Sequence, residues 1–371
     1  MTDAQLQSLT AQVLWSAFGF AVLFGAVAQR SHFCTMGAVS DAMTMGDWAR
    51  VRQWSLAAGV AVLGLHAMVG LGWIEARQSI YAAPRLIWLS HALGGLMFGF
   101  GMVLASGCGS KTLVRAGGGN LKSLVVLVVL GVSAYATLRG VAAVARVATV
   151  DQVALSLPVG QDLPSLLAWA TGAPRTTMAW LVGGAIGLAL VAFALARPEG
   201  RSGEVLLGGL GVGAAIVGIW WVSGRLGHVM EHPQTLEEVF VATNSQRMES
   251  LSFVAPIAYT FDWLILFSDK SKVLTLGIVS TVGVMLGSAI TAIATGVFRW
   301  EGFAGAEDTA NHLAGAVLMG VGGITALGCT IGQGLSGLST LSLGSFIAVA
   351  GIVTGAVLAV RWQTMRLERA A

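Results

Sequence analysis

Three cysteines, Cys34, Cys108 and Cys329, are the residues of this 371-residue chain best suited to chemistry. They lie 74 and 221 positions apart, and no C-x-x-C pair exists, so neither a disulfide framework nor a paired metal or redox motif is indicated. Cys108 sits in Ser106-Gly-Cys-Gly-Ser-Lys111, and Cys329 in Leu327-Gly-Cys-Thr-Ile-Gly332. Gly107, Gly109 and Gly328 let the backbone leave helical geometry beside each thiol, so that the sulfur, with Thr330 next to it, can face a cavity. The plain alternative is a small apolar side chain packed between helices. Soft sulfur suits a soft substrate: a thiophilic cation such as Cu(I), or an anion that itself carries sulfur. No acid lies within six residues of Cys108 or Cys329, while Lys111 is close by. A thiol in apolar surroundings stays protonated and donates a weak hydrogen bond. That local chemistry favours the anion.

The elements that must hold these residues are apolar helices. Of the residues, 55% are hydrophobic and only 11% charged, against roughly 25% charged in soluble domains. So few charges cannot cover a soluble surface of this size, which excludes a soluble enzyme, a disordered chain and a nucleic-acid-binding protein. Continuous apolar stretches of roughly 20 residues point to an all-α polytopic membrane protein instead of an outer-membrane barrel. Nine spans are expected: 11–28, 53–73, 87–106, 121–141, 177–196, 205–223, 273–297, 311–327 and 341–360. Met1 to Thr10 has no basic residue, so the first span is expected to be retained. Two shorter apolar stretches, 33–48 and 250–267, are expected to be re-entrant. The mixed stretch 143–176 reads as an extramembrane insertion with short helices. Lys/Arg bias places the loop 109–122 and the C-terminal tail in the cytoplasm and the N-terminus outside. The loop 299–308 then falls in the cytoplasm despite Glu301, Glu307 and Asp308.

An internal repeat joins the sites to the spans. His91 through Cys108 and His312 through Cys329 align without gaps, with seven of 18 positions identical. Upstream, Gln29-Arg30 to Asp47-Trp48 resembles Gln246-Arg247 to Asp262-Trp263 at a two-residue offset. The halves, 11–142 and about 205–360, fall on opposite sides by charge, as an inverted repeat within one transmembrane domain covering 1–371. Transporters that bind substrate near the bilayer midplane share that architecture. His91 and His312, ionisable groups inside apolar helices, are expected to support the path or to hydrogen-bond helix to helix. Met36, Met43 and Met45 are expected to pack. Asp41 and Lys111 are charges near the path, although Lys111 also fits a plain cytoplasmic anchor.

The segments Ser31-x-Phe-Cys34-Thr-x-Gly37, Gly107-Cys108-Gly and Gly328-Cys329-Thr resemble the three cysteine motifs of the YeeE/YedE family of sulfur-compound transporters. The resemblance covers most of the chain and fits 142–176 least well. It implies uptake of thiosulfate across the bacterial inner membrane without a cofactor. The ion would pass from thiol to thiol, with Cys329 outermost, Cys108 central and Cys34 innermost. It also implies a small cytoplasmic sulfurtransferase-like partner. Two competing readings are a Cu(I) transporter and a membrane-embedded sulfurtransferase that forms a cysteine persulfide.

Overall fold

The computed structural model describes residues 2–370, which are almost wholly helical. Long apolar runs without ladder partners leave the helix as the only way to satisfy the backbone in hydrocarbon. The helices are α1 (Asp3–Arg30), α2 (Thr35–Thr44), α3 (Ala49–Gly70), α4 (Trp88–Leu104), α5 (Gly109–Gly117) and α6 (Leu121–Arg139). The insertion holds α7 (Val141–Ala148) and α8 (Leu163–Thr171); α9 (Arg175–Met178) then runs through a π turn into α10 (Gly184–Leu195). The remainder are α11 (Gly203–Trp221), α12 (Val254–Ile265), α13 (Leu276–Ala294), α14 (Ala306–Thr325) and α15 (Leu343–Ala370). Strands β1 (Arg85–Leu86) and β2 (Leu155–Ser156) pair antiparallel, as do β3 (His228–Val229) and β4 (Val239–Phe240).

Eight helical runs among the described residues are long and apolar enough to cross a membrane. The 20-residue α14, whose first turn carries Glu307 and Asp308, is not one of these eight. It packs antiparallel to α4, with Gly101 against Gly315 and Gly94 against Gly322. A Cβ on Gly101 would stand 2.7 Å from the Gly315 carbonyl oxygen, and one on Gly315 would stand 2.5 Å from that of Gly101. Gly94 and Gly315 are repeat twins, as are Gly101 and Gly322, so the two contacts are one contact seen from each half. Likewise α4 packs on α15 through Gly99, and α14 packs on α6 through its twin Gly320. The segments expected to be re-entrant contain α2 and α12, 10 and 12 residues long. At 1.5 Å per residue they reach roughly 15–18 Å, half a bilayer core.

The acid-rich loop 299–308 lies against the basic loop. Asn120 donates to Glu301 at 2.8 Å, Lys122 pairs with Asp308 at 3.0 Å, and Arg366 of α15 pairs with Glu307 at 3.1 Å. These segments therefore share one face, here the tail face. The insertion, the β3–β4 hairpin and the loop after α3 share the opposite face. There β1 pairs with β2, Gln78 donates to Glu238, and Asp162 bridges Ser342. One expectation needs correction. The stretch 109–122 is not simply a loop, because α5 begins directly after Cys108. Arg361, Arg366 and Arg369 of the tail ride on α15.

Candidate functional site

Each cysteine follows the same backbone turn. His32, Ser106 and Leu327 are left-handed, with φ of 51°, 54° and 58°. In each case the next residue closes the preceding helix with a six-to-one hydrogen bond. Phe33 N–H donates to the Ala28 carbonyl at 3.2 Å, Gly107 to Met102 at 2.8 Å and Gly328 to Gly323 at 2.8 Å. These are Schellman turns, and the cysteine comes directly after. The flanking glycines were expected to supply the special geometry at Cys108 and Cys329. Gly328 does so, with a φ of 159°, whereas the residue closing each turn, His32, Ser106 or Leu327, is not glycine and costs about 1–2 kcal/mol. Such strain gathers at functional sites. Gly107 has a different use: a Cβ there would stand 3.3 Å from the Lys111 side chain, so glycine leaves room for the lysine. At Gly109 a Cβ would touch only Phe253 and Val254, at 3.9 Å.

After the turn, each thiol meets the start of a new helical segment. Cys34 is the N-cap of α2, and its Sγ accepts from Gly37 N–H at 3.3 Å. Cys108 is the N-cap of α5, with Sγ 3.3 Å from Ser110 Oγ. Cys329 Sγ accepts from Gly332 N–H at 3.4 Å, and the N–H groups of Ile331 and Phe253 also face it. A sulfur whose lone pair is engaged this way keeps its S–H free to donate elsewhere. All three thiols are free and buried, and none faces lipid. Cys108 is the electrostatic neighbour of both Cys34 and Cys329. The short helix of the second half, α12, has Phe253 and not a cysteine as its N-cap.

A cavity lies on each face beside one of the turns, although no thiol lines either of them. On the insertion face a pocket of about 70 Å³ is lined by Asn244, Glu249, Ser252, Tyr259 and Leu327, the last being two residues before Cys329. On the tail face a pocket of about 720 Å³ is lined by Gln29, Arg30, His32 and Arg299, with His32 two residues before Cys34. Lys111, in the first turn of α5, is the electrostatic neighbour of Cys34 and Cys108, as are Arg50 and Arg115 of Lys111 itself. Arg50 is paired with Asp41 at 3.1 Å, so Asp41 is a counter-ion rather than a free charge. Thr330 lines a separate apolar cavity between α2, α3 and α15, together with Thr35, Met43 and Trp54. The hydroxyls of Thr35 and Thr330 are buried without a hydrogen-bond partner among the described residues.

The two histidines part company. His91 Nδ1 is 3.1 Å from the carbonyl of Ala326, the C-cap of α14, which also accepts from Gln333 Nε2 at 2.6 Å. His91 thus ties α4 to the turn that presents Cys329. His312 instead contacts Asp308 of its own helix, 2.8 Å from its carbonyl. We therefore expect His91→Ala to cost about 1–3 kcal/mol by leaving buried polar groups unmatched. His312→Ala should cost less, because its partner Asp308 keeps Lys122 at 3.0 Å. Melting of both purified variants in detergent checks the order.

Sequence reasoning missed Tyr81, Ser252, Arg299 and Glu249. None carries a local signal, because what brings each to the site is packing between distant segments.

The sulphur-transport family model matches residues 30–358, a range that contains all three turns. The chain belongs to that family. The chain is 26% identical over 337 residues to the thiosulfate transporter TsuA of Escherichia coli K12, covering 90% of each protein. It is also 26% identical over 362 residues to the thiosulfate transporter TsuA of Spirochaeta thermophila, covering 92% of this chain and 97% of that one. A shorter match, 30% over 115 residues, is to the probable transporter YedE of Escherichia coli K12. The chain is a multi-pass membrane transporter of sulfur compounds and not an enzyme.

Proposed function

We propose that this member of the sulphur-transport family takes up thiosulfate across the bacterial inner membrane. The ion passes Cys329, Cys108 and Cys34 in that order, with Lys111 receiving it at the inner thiols. The single observation that carries the reading is that three buried thiols, distant in sequence, each follow the same left-handed turn, with Cys108 the neighbour of both others, a cationic cavity beside the Cys34 turn and a second cavity beside the Cys329 turn. Weak neutral donors in series lower the cost of dehydrating a dianion without trapping it. The two relatives named as thiosulfate transporters support the choice of ion. Lys111, Arg115 and Lys122 beside the tail face favour a cytoplasmic tail face, with the N-terminus outside. The basic pocket there suits release toward a small sulfurtransferase-like protein.

The test is uptake of labelled thiosulfate into proteoliposomes, with sulfate, selenate and Cu(I) as competitors. Saturable uptake that Cu(I) does not replace is expected. Accumulation of Cu(I) in place of thiosulfate would establish the cation reading. A stable persulfide on one cysteine after exposure, seen by mass spectrometry, would establish the sulfurtransferase reading.

Burial pushes the Glu249 carboxyl up to about 7. It lines the insertion-face pocket with Tyr259, and a negative carboxylate there repels an arriving dianion. The neutral fraction grows as pH falls through that value, so uptake should rise about tenfold from external pH 8 to 6. Glu249→Gln, neutral throughout, should flatten this profile at the high rate. A pH series of initial rates on both proteins decides it.

A further inference from the structure

Tyr81 lies in the loop after α3 and is buried, 3% exposed. Its backbone carbonyl accepts from Ser342 Oγ at 2.7 Å. Its ring meets Trp220 edge-on, centroids 6.2 Å apart, and Trp220 is itself fixed by a 2.9 Å bond from Nε1 to Ser339 Oγ. So held, Tyr81 places its phenol Oη where it makes no hydrogen bond among the described residues. Leaving such a hydroxyl unmatched costs about 1–3 kcal/mol, and a phenylalanine ring would fill the same space without that cost. The phenol is the electrostatic neighbour of Cys329. Gly332, whose N–H is bonded to Cys329 Sγ, marks where the groups converge. A Cβ on Gly332 would stand 2.5 Å from Ser252 Oγ and 3.4 Å from Tyr81 Oη. Ser252 in turn lines the insertion-face pocket.

We propose that Tyr81 and Ser252 form, beside Cys329, an oxyanion-binding station at the outer end of the path. The inference rests on the thiosulfate reading and adds to it which groups take which end of the ion. Two hydroxyls are hard donors and take the oxygens of the –SO₃ end. The Cys329 thiol, a soft donor, takes the terminal sulfur. The station therefore holds the ion with its sulfur toward the thiol series. Sulfate, which has oxygens but no terminal sulfur, binds the same hydroxyls and lacks the partner for Cys329.

The experiment compares wild type, Tyr81→Phe, Ser252→Ala and Cys329→Ala as full-length protein in proteoliposomes, measuring initial rates against thiosulfate and inhibition by sulfate. In Tyr81→Phe the KM for thiosulfate should rise about tenfold, and the sulfate inhibition constant should rise by a similar factor. Ser252→Ala should move both constants in the same direction. In Cys329→Ala the thiosulfate KM should rise while sulfate inhibition stays as in wild type. The Tyr81→Phe protein should melt no lower than wild type, which separates a binding role from a structural one. An unchanged KM in Tyr81→Phe would overturn the proposal, as would a KM change that leaves sulfate inhibition untouched. Should wild type take up no thiosulfate at all, the transport reading fails by itself. The station is then decided by melting in sulfate: a rise in wild type absent from Tyr81→Phe supports it, and equal behaviour of the two overturns it.

Discussion

Cys108→Ala should cut thiosulfate uptake by about 10- to 150-fold, because a hydrogen bond to a charged group is worth about 1.5–3 kcal/mol. Cys108 is the one thiol with both others as neighbours, so its loss opens a gap in the middle of the series. The effect should fall on the maximal rate. The missing donor would have acted on the ion when it is most dehydrated, not at entry, and an interaction absent only there lowers turnover. Cys108→Ser keeps a donor at the same place beside Ser110 and should lose less. Initial-rate uptake by both variants, with protein content checked by immunoblot, measures the difference. Normal uptake by Cys108→Ala would remove the central thiol from the mechanism.

Lys111→Glu should abolish measurable uptake. The lysine is the electrostatic neighbour of Cys34 and Cys108 and occupies space that Gly107 leaves open. A unit charge at roughly 6 Å and an effective dielectric constant near 20 contributes about 3 kcal/mol per charge on the ion. Neutralising it in Lys111→Gln should therefore cost about 100-fold or more. Reversal replaces attraction by repulsion of the same size. Lys111→Arg should keep most of the rate. Because Arg50 is already committed to Asp41, it should not substitute for the missing lysine. Rates across this series, read beside melting temperatures, separate loss of charge from loss of fold. If Lys111→Gln transports as wild type, the lysine is a plain anchor.

Much of the architecture is legible in the sequence because hydrocarbon leaves the backbone few choices. Apolar length distinguishes the spans from α2 and α12, and the shared spacing of His91–Cys108 and His312–Cys329 reveals α4 and α14 as twins. The loop 299–308 could be placed only by its partners, Asn120, Lys122 and Arg366, which lie far from it in the chain. The turns before the cysteines were hidden for a different reason. Left-handed residues are normally marked by glycine, and here they are His32, Ser106 and Leu327. The split between the histidines was equally invisible. Both occupy the same repeat position, yet only His91 reaches a carbonyl on the other helix. Tyr81 is one of three tyrosines in the chain and stands in no motif; it becomes a site residue through Trp220, Ser342 and the bend at Gly332.

One path shared by three thiols is the core of the proposed transport. Its most direct test is an experimental structure determined in thiosulfate, with the sulfur atoms located by anomalous scattering. An ion is expected within hydrogen-bond reach of Cys329 or Cys108, its terminal sulfur toward the thiol. An ion bound elsewhere in the membrane region, along a route that passes none of the three cysteines, would contradict it.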